Sequence, residues 1–294
     1  MILARADWTA RAAAHAARAD AAASGHLARR SRGEKHPVAD FLWEYYALRP
    51  GVLRRWHPGA GVTLAEAPER AAWRFHRATA AGVELDPDAY LAARGSAVRF
   101  VAGLLAATAS RPGQWACFGL HEWAMVYRTD VTRHAVPLRL GPAGTDAVVE
   151  AAHLRCTHHD AFRFFTPAAV PLNAPAPTRE GQTDAEQPGC LHATMDCLKW
   201  WPKLGPAVPG ELLLDAFDLA RAARELDMRV APYDLAEWGY APIPIETPAG
   251  RATFVRHQRR IAERGATLRR RLLAVCALLD PHDAEPAGRA METR

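Results

Sequence analysis

The stretch GCLHATMDCLKW, residues 189–200, sets His192 and Asp196 four apart, with Lys199 three further on. On a helix this spacing puts the three side chains near one face. Imidazole and carboxylate together support two chemistries. They bind a metal ion through mixed nitrogen and oxygen donors, as helical bundles do in their cores. They also move protons, with a buried Asp activating water while a His orients it. Three more groups of this kind interrupt apolar, aromatic text. His121 and Glu122 lie in FGLHEWAMVYR, with Tyr127 and Arg128 behind them. His153, His158, His159, Asp160 and Arg163 form the next group, and Arg224, Asp227 and Arg229, followed by Tyr233 and Asp234, form the last.

Each chemistry selects its own residues. Acid–base catalysis without a cofactor rests on Asp196, His192, Asp160, His159 and His158. At an N-glycosidic bond, such a carboxylate also stabilises positive charge on the sugar. A bound metal ion is the alternative, with ligands drawn from His121, Glu122, His158, His159, Asp160, His192 and Asp196. No HExxH pair is present, and LHEW only begins like it. The plainest alternative is a polar network that ties helices together, because buried His and Asp must find partners. Trp123, Tyr127, Arg163, Phe164, Trp200, Tyr233, Asp234 and Arg179 are candidates for substrate contact. Aromatic walls suit a flat or cationic ring.

These residues need helices to hold them. Apolar spacing and capping predict helices over 85–109, with Asp86 as cap and Pro87 in the first turn, over 210–230, and from Thr247-Pro248 onward. The same reasoning predicts helices over 67–80, over 115–128 and over 145–165, and one that starts at His36-Pro37 and stops at Pro50-Gly51. A single helix over 145–165 would put His153, Thr157 and Asp160 on one face. If the Pro-rich loop at 167–188 turns the chain back, His158, His159 or Asp160 lies across from His192 and Asp196. Loops of that length are often functional, here as a lid or a cleft wall. Residues 129–142 are the least helical text. The expected class is an all-α, bundle-like single domain with long irregular loops and little strand. An Ala/Arg-rich helix or arm over 1–35 precedes a core over 36–280, and a disordered tail is expected over 281–294.

The chain has 294 residues, 49% hydrophobic, enough for a large core. A net charge of +5 permits nucleic-acid binding without arguing for it. The last helix carries Arg251, Arg256, His257, Arg259, Arg260, Arg264, Arg269, Arg270 and Arg271, a stripe able to grip phosphates. Five cysteines without zinc or disulfide spacing suggest a reducing compartment. The text lacks an apolar leader, an 18-residue apolar span, a GxGxxG fingerprint and a P-loop. A cytoplasmic protein with no membrane partner is the expectation.

The segments HPVADFLWEYYALRPGVLRRWHPG, FGLHEWAMVYR, CTHHDAFRFFTPAAVPLN, PTREGQTDAEQPGCLHATMDCLKW and ELDMRVAPYDL resemble a family of mainly actinobacterial proteins labelled 3-methyladenine DNA glycosylase. The resemblance runs from about His36 to Leu273. It implies excision of an alkylated base from DNA, with the base flipped into an aromatic pocket. LRPGVLRRWHPGAG contains glycines but does not match the hairpin that precedes the catalytic Asp of helix-hairpin-helix glycosylases, so no catalytic residue carries over. Three functions are therefore in play. One is N-glycosidic hydrolysis on DNA or a nucleoside-like small molecule. The second is a helical metal-dependent enzyme. The third is a small-molecule binding protein without turnover.

Overall fold

The computed structural model describes residues 1–132 and 134–280. It opens with β1 (Ile2–Leu3), α1 (Arg5–Ser31), α2 (Phe41–Tyr45) and α3 (Pro50–Leu53). Next come β2 (Thr63–Leu64), β3 (His76–Thr79) and β4 (Gly82–Leu85), then α4 (Pro87–Ser110), α5 (Leu120–Ala124) and α6 (Gly141–Glu150). α7 (His159–Phe162), α8 (Gln182–Ala185), α9 (Leu191–Lys199), α10 (Trp201–Leu204), α11 (Gly210–Val230) and α12 (Pro248–Leu279) follow. The fold is a multi-helix bundle, mostly helical, with one small open sheet in the order β1-β2-β4-β3.

Two of the long helices, α4 and α12, begin where side chains replace missing backbone partners. Asp86 accepts from the amides of Asp88 and Ala89, both at 3.1 Å, and Pro87 has no amide to leave unpaired. Thr247 does the same for α12, taking the Gly250 amide at 3.0 Å ahead of Pro248. Each helix then buries a stripe spaced three and four apart. In α12 the stripe runs Phe254, Gln258, Ile261, Gly265, Leu268 and Leu272. α9 lies at the centre, with Leu191 to Leu198 all buried and α11 and α12 packed on it. A Cβ added to Gly265 of α12 would stand 2.8 Å from Thr194 Oγ1 of α9, so the Thr194 side chain occupies the space that a larger residue would need. α4 is long and apolar enough to cross a membrane by length and composition. Here it packs along α12, burying Val98, Val101, Leu104 and Leu105.

Several expected elements differ. Residues 67–80 are not a helix: Pro68–Arg70 makes one tight turn and His76–Thr79 pairs antiparallel with Gly82–Leu85. Cross-strand pairing overrides the helical propensity of the alanines. The helix expected over 145–165 ends at Glu150. Asn173 then straps the following segment in extended form, accepting from the Cys156 amide at 2.8 Å and donating to its carbonyl at 2.9 Å. His153, Thr157 and Asp160 therefore share no helical face. The text over 36–50 is helical only from Phe41 to Tyr45, and Pro50 starts α3 where it was expected to stop a helix. Residues 115–128 shrink to the five of α5. Arg269 leaves the expected basic stripe, because it is 1% exposed. The expected tail over 281–294 lies outside the described residues.

α1 joins the helical body, with Ala19 and Ala23 in the main core and Arg18 on Asp215 and Asp218 of α11. Asp40 ties the end of α1 to α2. It accepts from Arg29, from His26 Nδ1 at 2.9 Å and from the His36 amide at 2.9 Å. Burial pushes the Asp40 carboxyl up, but Arg29 and His26 override this and hold it at about 2, against 3.8 when free. A depressed carboxylate stabilises the fold above its unfolded pKa and loses that effect as pH falls through the folded one. Asp40→Asn should cost about 2 kcal/mol at neutral pH. The gap to the parent should close between pH 3.8 and about 2, and denaturant midpoints across that range check it.

Candidate metal centre

α9 presents His192 and Asp196 one turn apart, and two buried clusters form on either side of them. The first joins α9 to α5 and α11. His121 Nε2 stands 3.0 Å from Asp227 Oδ1, at 4% and 0% exposure. Neither atom makes an aligned hydrogen bond among the described residues. The two are close yet not aligned with each other, as ligand atoms aimed at a common third point would be. His192 completes the group, its ring edge-on to His121 with centroids 4.6 Å apart. Behind them Arg224 Nη1 donates to Glu122 Oε1 at 2.7 Å and to Asp227 Oδ2 at 3.4 Å. Cys117 Sγ lies 3.7 Å from His121 Nδ1.

The second cluster joins α9 to the segments before α7 and after α8. His158 Nε2 lies 3.3 Å from Asp196 Oδ2 and 3.3 Å from Glu186 Oε1, with all three residues buried. Tyr46 donates to Asp196 Oδ1 at 3.1 Å, and Lys199 donates to Asp196 Oδ2 at 3.1 Å and also to Asp160. His158 stacks on His192 with centroids 5.3 Å apart. His192 thus stands between the two clusters. Both are able to coordinate a metal ion: His121, His192 and Asp227 in one, His158, Glu186 and Asp196 in the other. Ligand atoms sharing one ion through bonds of about 2.1 Å lie roughly 3 to 4 Å apart, and the 3.0 and 3.3 Å separations fit.

Electrostatics without an ion follow from burial and neighbours. Burial alone lowers the His158 pKa, but Asp196 and Glu186 override it and hold it at about 10. His121 is likewise pushed down by burial and raised well above the usual range by Asp227. Asp227 and Asp196 are pushed up by burial, then pulled down by His121 and by His158 respectively, Asp196 to about 2. His192 falls to about 3 through burial and the charge of His121. It is therefore neutral, the form in which imidazole binds metals.

A cleft of about 360 Å³ opens above the first cluster, with His192, Glu122 and Arg224 facing it. Phe41, Tyr45 and Phe164 form aromatic walls, and Glu44 and Asp160 add carboxylates. Glu122 Oε2 is buried and has no partner. Of the expected substrate contacts, Phe164 lines this cleft and Arg163 sits at 4.1 Å over its ring. Trp123, Tyr127 and Trp200 do not line it. They are 0%, 3% and 3% exposed and spend their polar groups elsewhere or pack in the core; Trp123 donates to the Val230 carbonyl at 2.7 Å. Tyr233 is buried beside His134, while Asp234 and Arg179 are exposed away from the cleft lining. His159 is half-buried and reaches only Asp160, at 3.7 Å.

Two ligand candidates were not anticipated. Asp227 belongs to the buried stripe Leu213, Phe217, Ala220, Arg224 and Asp227 of α11, so charged residues on an apolar stripe were the available signal. Glu186 lies in irregular chain, where no periodicity marks it. The placement of His121 and Glu122 depends on Gly119. It caps α5 with φ +70°, and a Cβ there would stand 2.3 Å from Val230 Cγ2 of α11. Gly119→Ala combines left-handed strain with overpacking and should cost about 2 kcal/mol or more. A denaturant midpoint equal to that of the parent would contradict this.

Comparison with protein-family models, with curated proteins and with solved structures gives no match.

Proposed function

We propose that the chain is a metal-dependent enzyme whose ion is held by His121, His192 and Asp227 at the floor of the aromatic cleft. One observation carries this reading: His121 Nε2 and Asp227 Oδ1, buried and 3.0 Å apart, make no aligned hydrogen bond with each other or with any other described residue. A pair held this close without alignment forgoes a hydrogen bond of about 0.5–1.5 kcal/mol, and a shared cation would engage both atoms. Two histidines and one carboxylate leave coordination positions open, as catalytic sites require. An ion there activates bound water or polarises a substrate oxygen. The chain contributes the rest. Arg224 fixes Asp227 and Glu122, and Glu122 Oε2 is left as a buried acceptor facing the cleft.

The cleft volume and its rings suit a small, flat substrate. A base carried on a nucleoside or in DNA has that shape, so N-glycosidic hydrolysis is the activity to assay first. The test begins with elemental analysis of protein purified without chelator or affinity metal column. Near-stoichiometric zinc, iron or manganese is expected, together with base release from N-glycosides that stops on chelation. A chain that carries no ion and takes up neither Zn²⁺ nor Mn²⁺ overturns the reading.

A further inference from the structure

We propose that His158, Glu186 and Asp196 bind a second divalent cation, so that the centre holds two ions, one on each side of His192. This rests on the reading of the first site and extends it. The second cluster does not behave as a simple ion pair. His158 Nε2 is equidistant, at 3.3 Å, from carboxylate oxygens of two different residues. A single N–H points along one direction, so it cannot serve both oxygens well, and each takes a further donor, Gln182 on Glu186 Oε1 and Lys199 on Asp196 Oδ2. A cation accepts the nitrogen and both oxygens at once. All three residues lie between 1% and 3% exposed.

Charge supports two ions over one. Asp227, Glu122, Asp196, Glu186 and Asp160 converge here, and the permanent cations among them are Arg224 and Lys199, with Arg163 at the exposed rim. Arginine and lysine alone leave one carboxylate in excess on each side of His192, a charge that His121 and His158 balance when no ion is bound. Geometry places the sites as neighbours. The α9 residues that serve them, His192 and Asp196, are one turn apart, about 6 Å along the axis. His192 touches the rings of both His121 and His158, at 4.6 and 5.3 Å. The ligands of the second site come from α9 and from the irregular segments that carry His158 and Glu186, so its ion also fastens those segments to the core.

The experiment loads chelator-stripped protein with Mn²⁺ and reads both stoichiometry and the electron paramagnetic resonance spectrum. Two ions per chain are expected, with a spectrum broadened by coupling between neighbouring Mn²⁺ ions. Glu186→Gln should lower the count to one and restore the six-line signal of an isolated ion. His158→Gln is the second variant should the first fail to fold, and the parent spectrum alone already discriminates. One ion per chain, lost in Asp227→Asn and kept in Glu186→Gln, overturns the second site and leaves the first standing. One ion lost in Glu186→Gln and kept in Asp227→Asn overturns the pair and the first site together. No bound ion overturns both.

Discussion

Asp227→Asn should leave the purified chain with less than about a tenth of an ion at the first site, and should weaken binding of added Zn²⁺ by more than about 100-fold. The estimate follows from position. Replacing a residue that only orients a ligand costs about 10- to 100-fold in metal affinity, and in the proposed site Asp227 supplies a ligand atom itself. The amide keeps one neutral oxygen, but at 0% exposure no solvent compensates for the change. The amide also removes the one full negative charge of the ligand set. Asp234→Asn, on an exposed carboxylate nearby in sequence, is the control and should change nothing. Titration with Zn²⁺ measures both variants. Full retention of the ion by Asp227→Asn would remove Asp227 from the site.

Arg224→Leu is the second large effect, and it acts on stability. Arg224 is 2% exposed and donates to Glu122 and Asp227. Removing it strands the buried Glu122 carboxylate and leaves Asp227 to His121 alone, which costs about 3–5 kcal/mol. For a chain of 294 residues that loss lowers Tm by about 10 °C. Melts run in chelator keep ion binding out of the comparison. The double variant Glu122→Leu with Arg224→Leu should regain more than half of the loss, because the stranded charge leaves with its partner. A double variant no better than the single one would show that Arg224 contributes through packing, over the Phe41 ring at 4.0 Å, more than through charge.

The parts of this molecule legible in its text are those governed by local rules. α4 and α12 begin at caps, and α4, α11 and α12 continue as apolar stripes, and both features are short-range. The text also grouped His121, Glu122, His158, His192 and Asp196, because polar residues inside aromatic helices are conspicuous. What escaped it was long-range. The pairing of His76–Thr79 with Gly82–Leu85 overrode an alanine-rich helix signal. Asn173, seventeen residues beyond Cys156, straightened a stretch that reads as helical. That strap delivers His158 to Asp196, one of the placements that the expected helix left open among His158, His159 and Asp160, by another route. Glu186 and Asp227 became ligand candidates only once three separate elements had met.

The contact between Gly265 and Thr194 makes α12 a ruler for α9. The Thr194 side chain fills the space between them, so α9 has little slack on that side. One added methyl at position 265 bears on α9 at Thr194, between His192 and Asp196 in sequence, without altering any donor atom. The seat of α9, and with it of both clusters, should thus respond to a change in α12, and Gly265→Ala, graded against Gly265→Ser, is a dial on it.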